Sequence, residues 1–139
     1  MAYDPGNIFA KILKGEVPSL KVYEDSASLA FLDIMPQARG HTLVIPKAPA
    51  ENLFDLPSEI AGPLLLATQK VARAVQSAVK APGLMIAQLN GAPAGQSVFH
   101  MHFHIIPRTE GIDLALHARA KADPAELEAV AKLIRAEMK

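Results

Sequence analysis

The chain has 139 residues, half of them hydrophobic and none of them cysteine. That suits one compact domain with a single core, and it excludes disulfides, thiolate metal sites and a cysteine nucleophile. Lys plus Arg number 14 and Asp plus Glu number 14, so the formal net charge is zero at pH 7, which argues against a broad electrostatic grip on nucleic acid or an anionic membrane but leaves room for a local phosphate pocket. Residues 1–7 show no basic region followed by an apolar run, and no apolar stretch reaches membrane-spanning length. The expectation is therefore a soluble cytoplasmic protein without a signal peptide.

Asn7 is placed to cap a short helix over Ile8–Lys14 that ends at Gly15, with Phe9, Ile12 and Leu13 facing inward. Pro18 forces an extended exit. Leu20–Tyr23 and Leu29–Ile34 read as strands joined by the polar turn Glu24–Ser26, and His41–Ile45 reads as a third strand that stops at Pro46. A long helix is predicted over Ser58–Lys80, with Leu64, Val71, Val75 and Val79 on one face. Pro63, in its first turns, is expected to kink it or delay its start, and Pro82–Gly83 to end it. Leu84–Leu89 is a fourth strand, Asn90–Gln96 a glycine-bearing loop, and Val98–Ile106 a fifth strand ended by Pro107. The last helix has Asp123 as cap, Pro124 as first helical residue and Glu126 completing a capping box. Leu127, Val130, Ala131, Ile134 and Met138 form its apolar stripe. The predicted class is α+β: a five-stranded antiparallel sheet with one long helix and shorter terminal helices, in a single domain over residues 1–139.

Three of the five histidines alternate along the fifth strand, at His100, His102 and His104. Alternate strand residues share a face at roughly 7 Å spacing, so these rings would line one elongated ligand while Met101, Phe103 and Ile105 enter the core. A neutral imidazole has one lone-pair nitrogen and one N–H. If a backbone carbonyl fixes the N–H, the other nitrogen becomes a directed nucleophile, and a neighbouring ring can donate to phosphate oxygens in the transition state. Such a row needs no metal. The rival is a zinc site with His41 as a further ligand. Adjacent same-face positions hold the first and third rings far apart, which speaks against it. A cupin-like barrel would want a nearby Glu, and Pro107–Arg108 intervenes before Glu110.

The run His100-Met101-His102-Phe103-His104-Ile105-Ile106 has the pattern His-φ-His-φ-His-φ-φ, with φ apolar. Here the chain resembles the histidine-triad (HIT) family, in particular its Hint-like nucleotide-hydrolase branch. Ile8–Pro18, Phe31–Gln37, Gly40–Lys47 and Asn52–Asp55 resemble family segments in the same order, so the likeness spans roughly residues 7–108 and leaves a C-terminal extension with the helix near 124–138.

The resemblance implies a HIT-like fold and a homodimer whose subunits join their sheets. It implies hydrolysis of nucleoside phosphoramidates or related purine nucleotide conjugates of AMP or GMP, without a cofactor, and no nucleic-acid or membrane partner. In that scheme His102 attacks the α-phosphorus, a nucleotidyl-histidine forms, and water releases the nucleoside monophosphate. His104 corresponds to the phosphate contact, His100 to a support whose carbonyl fixes the His102 tautomer, and His41 to a further member of the network. Asp33 corresponds to the ribose carboxylate; by itself it reads equally well as a turn cap. Asn90, Gln96 and Ser97 correspond to polar groups near the phosphates, and Gly95 to a close backbone approach. Phe9, Ile12, Ile34 and Leu43 correspond to the walls of a base pocket, although each alone reads as core. Many relatives carry a structural zinc on Cys-x-x-Cys and His; the corresponding positions here are Asn7, Ala10 and Pro49, so no metal is expected. His117 reads as a surface residue. A dinucleoside polyphosphate hydrolase and a nucleotide-binding interaction module are the alternative functions.

Overall fold

The computed structural model describes residues 3–111 and 121–138. In chain order they form α1 (Ile8–Leu13), β1 (Lys21–Glu24), β2 (Ser28–Leu32), β3 (Thr42–Pro46), a 3₁₀ turn (Leu53–Asp55), α2 (Ser58–Val79), β4 (Gly83–Gln88), a second 3₁₀ turn (Ala92–Ala94), β5 (Phe103–Arg108) and α3 (Pro124–Glu137). The five strands make one antiparallel sheet in the order β1-β2-β3-β5-β4. The class is α+β.

Every residue of β2 and β3 is buried, because the centre of the sheet is covered on both faces. On one face Ala30, Val44 and Ile105 meet Leu64, Val71 and Val75 of α2 and Val130 and Ile134 of α3. On the other, Leu29, Phe31, Leu43 and Ile45 pack against Phe9 and Ile12 of α1. A helix of six residues is only about 9 Å long, whereas five strands span about 19 Å. α1 therefore leaves part of its face to other groups, and these are polar.

Local signals explain most boundaries. The Asn7 side chain caps α1 by accepting from the Ala10 N–H at 2.9 Å. Asp25 accepts from the Ala27 and Ser28 N–H groups and closes the β1–β2 turn. Asp123 caps α3 through the Ala125 N–H, but Glu126 does not complete a capping box; it reaches across to Arg39 at 2.9 Å. Pro63 delays nothing: α2 begins at Ser58 and runs through it.

The largest difference from expectation is the fifth strand, which starts at Phe103 and not at Val98. The Met101 N–H is taken by the Ala50 carbonyl at 2.8 Å, so the chain there is pinned to the connector before α2 and does not join the ladder. Its side chain is still fully buried in the helix-side core.

α2 ends on Lys80, which adopts the left-handed conformation (φ 53°, ψ 44°) while its N–H donates to the Gln76 carbonyl. An L side chain there costs on the order of 1 kcal/mol. Lys80→Gly is expected to raise stability by about 0.5–1 kcal/mol, read as a higher urea midpoint at unchanged slope. A lower midpoint would show that the lysine stem contributes more than the strain costs.

Candidate active site

The site lies on the α1 face of the sheet. Leu43 pairs with His104 across β3–β5, and Ala87 with His104 across β4–β5, so the His104 ring shares the face of Leu43. His41 precedes β3 with the parity of Leu43 and Ile45, and Asp33 follows β2 with the parity of Leu29 and Phe31. The Asp33 N–H donates to the His41 carbonyl at 3.0 Å, which prolongs the ladder and sets these two side chains together. Gly40 makes the entry to His41 possible. Its φ is +93°, and a Cβ would lie 3.0 Å from Val79 Cγ1, so only glycine fits the bend.

Hydrogen bonds assign the protons of all four rings. His102 Nδ1 lies 2.7 Å from the His100 carbonyl and can only donate to it, which leaves Nε2 as the lone-pair nitrogen. The Gln37 N–H donates to His41 Nδ1 at 3.0 Å, so the neutral His41 ring carries its proton on Nε2. That proton faces His104 Nδ1 at 3.0 Å, and His104 consequently keeps its own proton on Nε2. His100 Nε2 donates to the Pro46 carbonyl at 2.8 Å, and its Nδ1 accepts from the Tyr3 hydroxyl at 2.6 Å. The site thus presents one nucleophilic nitrogen, on His102, beside one N–H donor ring, His104. Their ring centroids are 4.8 Å apart, closer than strand spacing alone provides, because His102 stands before the regular ladder.

The three rings do not share one role. His100 is fully buried with both nitrogens engaged, so it lies beneath the site as a support. Phe9 stands edge-on to His102 at 4.9 Å. Burial pushes the pKa of His41, His102 and His104 down to about 4, aided by mutual repulsion among the imidazoles. All are neutral at pH 7, which a nucleophile requires.

The other sequence candidates fall into two groups. Asp33 lies close to the rings: Oδ1 accepts from the Met35 N–H at 2.8 Å and caps the turn, while Oδ2 lies 3.7 Å from His41 Nε2. Burial raises its pKa. Phe9, Ile12 and Leu43 are buried, and Ile34 is half exposed at their margin. Ser97 is exposed. Asn90 and Gln96 are committed to the protein itself. Asn90 Oδ1 accepts from the Leu53 N–H and from Gln88, and its Nδ2 donates back to Gln88. The buried Gln96 amide accepts from the Gly91 N–H and donates to the Glu51 and Val98 carbonyls. Gln96 therefore holds the 91–96 loop, and Asn90 ties the end of β4 to the first 3₁₀ turn. Gly95 sits at φ +106°, where a Cβ would press on Leu89 at 3.3 Å. His117 lies outside the described residues.

Several supports had no sequence signal: the carbonyls of Pro46 and Ala50, the Gln37 N–H, and Tyr3. The first three are backbone groups, which carry no side-chain signal, and Tyr3 lies outside the stretch that carries the motifs.

The donor sets do not suit metals. Asp33, His41 and His104 bring one ligand atom each within 4.8 Å, but the Gln37 N–H aimed at His41 Nδ1 keeps the proton on Nε2, where a metal would need the lone pair. At the zinc positions suggested by the resemblance, Ala10 and Pro49 offer no donor side chain. The Asn7 amide is spent on Ala10, Tyr3 and Asp4, and His100 has no free nitrogen.

A family model described as the HIT domain matches residues 14–111. The chain is 52% identical over 101 residues to Protein hit of Bacillus subtilis, covering 73% of this chain and 70% of that one. It is 42% identical over 107 residues to adenosine 5'-monophosphoramidase HNT1 of Saccharomyces cerevisiae, covering 77% of this chain and 65% of that one. A solved structure of a Hit-like protein from Bartonella henselae superposes with a TM-score of 0.93 at 50% identity over 99% of both chains. With the imidazole run, its sheet and its relatives in agreement, this chain belongs to the HIT family.

Proposed function

We propose that this protein is a nucleotide hydrolase that cleaves purine nucleoside 5'-phosphoramidates, or closely related AMP and GMP conjugates, at the α-phosphorus through a nucleotidyl-His102 intermediate. The observation that carries the proposal is the buried, neutral His102 ring, whose Nδ1–H is held by the His100 carbonyl and whose Nε2 keeps its lone pair. Binding a nucleotide does not call for a directed imidazole lone pair; attack on phosphorus does. The name of the yeast relative, an adenosine 5'-monophosphoramidase, supports the substrate class.

In this reading His102 Nε2 displaces the leaving group from phosphorus, and water then releases the nucleoside monophosphate. The Nε2–H of His104, set by His41, donates to the non-bridging oxygens as charge builds there. Phe9, Ile12, Leu43 and Ile34 wall the base, and Ser97 and the Gly95 loop border the phosphates. Asp33 accepts from the ribose diol with the oxygen not spent on Met35.

We also infer a homodimer joined through β4. That strand is an edge of the sheet, and Ile86 on it and Leu65 and Leu66 on α2 expose apolar surface around one shallow groove. No helix among the described residues is long and apolar enough to cross a membrane.

The test is release of AMP from adenosine 5'-phosphoramidate with EDTA present. Turnover is expected to be unaffected by the chelator. Loss on chelation with recovery on zinc would favour a metal hydrolase. Tight nucleotide binding without turnover of phosphoramidates or dinucleoside polyphosphates would favour a binding module. Asp33→Ala is expected to raise KM for the ribonucleotide about ten-fold, in line with loss of a charge-assisted hydrogen bond, and to raise KM for the 2'-deoxy substrate, which keeps only the 3'-hydroxyl, by less. An unaltered ribo-over-deoxy preference would remove Asp33 from the ribose site.

A further inference from the structure

His100 is completely buried, so water cannot satisfy its ring nitrogens. Nε2 is bonded to the Pro46 carbonyl at the end of β3, and Nδ1 depends on the Tyr3 hydroxyl at 2.6 Å. Tyr3 is held in turn. Asn7 Nδ2 donates to its oxygen at 3.0 Å, while Asn7 Oδ1 caps α1 through the Ala10 N–H. The phenol ring stands edge-on to the imidazole, with centroids 5.6 Å apart. The directions of donation are fixed throughout. Nε2 of His100 must donate because a carbonyl can only accept, so Nδ1 must accept, and the tyrosine must donate.

This chain of bonds ends at the reaction centre. The carbonyl that holds His102 Nδ1–H belongs to His100. We propose that Tyr3 is a positioning residue for the nucleophile: through the His100 ring it ties the capped start of α1 to the end of β3, and it thereby holds still the carbonyl that sets the His102 tautomer. Tyr3 touches no reacting atom and acts only through His100. Without its hydroxyl the His100 Nδ1 is a buried acceptor with no partner. The ring is then held by its bond to the Pro46 carbonyl alone, and the His100 carbonyl is held less firmly in its direction. With that hold loosened the His102 proton can move to Nε2, the atom that must attack. The catalytic part of this inference rests on the reading of His102 as nucleophile; the structural part does not.

Tyr3→Phe removes one oxygen and keeps the ring contact. Turnover of adenosine 5'-phosphoramidate is expected to fall in kcat by about three- to ten-fold, the range for a lost buried hydrogen bond, with KM changed less than two-fold. Imidazole ¹⁵N spectra of the free protein supply a readout independent of activity. The wild-type His102 is expected in the Nδ1–H form alone, and in Tyr3→Phe it is expected to exchange between both tautomers while the His100 Nδ1 signal shifts. Asn7→Asp is the second variant. It keeps an oxygen to cap α1 but offers the tyrosine hydroxyl a competing acceptor, and it is expected to change kcat and the His102 spectrum in the same direction. An unchanged kcat in both folded variants, or a His102 still wholly Nδ1–H in them, overturns the proposal. His102→Ala separates the two readings: if that variant still turns over, the nucleophile assignment fails, and the spectra alone decide the role of Tyr3.

Discussion

His102→Asn is expected to lower turnover of adenosine 5'-phosphoramidate by about 10⁴-fold or more, with nucleotide affinity retained within a few-fold. Asparagine suits the test because its amide N–H can still donate to the His100 carbonyl, as Nδ1–H does at 2.7 Å. The support is kept and only the lone pair is lost, since an amide nitrogen is not a nucleophile. The size of the effect follows from the proposed chemistry: Nδ1 of His41, His104 and His100 is each taken by a protein donor, and His102 Nε2 is the imidazole lone pair left for attack. AMP release followed by chromatography gives the rate, and the thermal midpoint shows that the variant folds. Acid quench of the wild-type reaction followed by intact-mass measurement is expected to show one added nucleotidyl group that is absent from the variant. Turnover within ten-fold of wild type in His102→Asn would end the covalent mechanism.

Mild acid is expected to spare the chemistry and weaken the fold. His41, His102 and His104 have pKa values of about 4 because burial penalises their charged forms. A group with a pKa of 4 is still about 99% neutral at pH 6, whereas an exposed imidazole at 6.5 would be about three-quarters protonated. The kcat/KM profile should therefore stay flat from pH 8 to pH 6 and drop only toward pH 4. In the unfolded chain the same three rings titrate near 6.5, so between 6.5 and 4 the unfolded state binds protons that the folded state refuses. Stability is complete above pH 6.5 and drains away as pH falls toward 4, by as much as about 1.4 kcal/mol per pH unit for each histidine. Asp33 works the other way because burial raises its pKa, but it is one carboxylate against three imidazoles. Urea midpoints at pH 7, 6 and 5 are expected to fall in steps. A midpoint constant across that range would mean that the rings are protonated in the folded protein, and the kcat/KM profile would then break near 6.5.

Where the sequence spoke clearly, it did so through groups that act over a few residues. Asn7, Pro124 and Asp123 marked helix starts because a cap is a bond between near neighbours. Apolar, β-rich runs bounded by a polar turn and by Pro46 marked β2 and β3, and a spacing of two set His102 and His104 on one side of the chain with Met101 and Ile105 on the other. The histidine run carried the site for the same reason: three chemically capable side chains at strand period are visible without a structure.

Much of what remained hidden depends on residues far apart in the chain or on backbone groups without a side-chain signal. The start of β5 was misplaced because a carbonyl at Ala50, fifty-one positions earlier, claims the Met101 N–H. Gln96 and Asn90 stand beside the histidine run in sequence, but only the fold shows that distant backbone groups bond to their side chains. The proton positions are the plainest instance. That three histidines stand in a row is a property of the sequence; which nitrogen holds the proton is decided by the His100 carbonyl for His102, by the Gln37 N–H for His41 and through it for His104, and by the Pro46 carbonyl and the Tyr3 hydroxyl for His100. Three of these are backbone groups, which carry no side-chain signal, and only folding aims them at the rings. Composition and period determined that this protein carries a row of imidazoles on a sheet, and tertiary structure alone decided which of them has a lone pair to give.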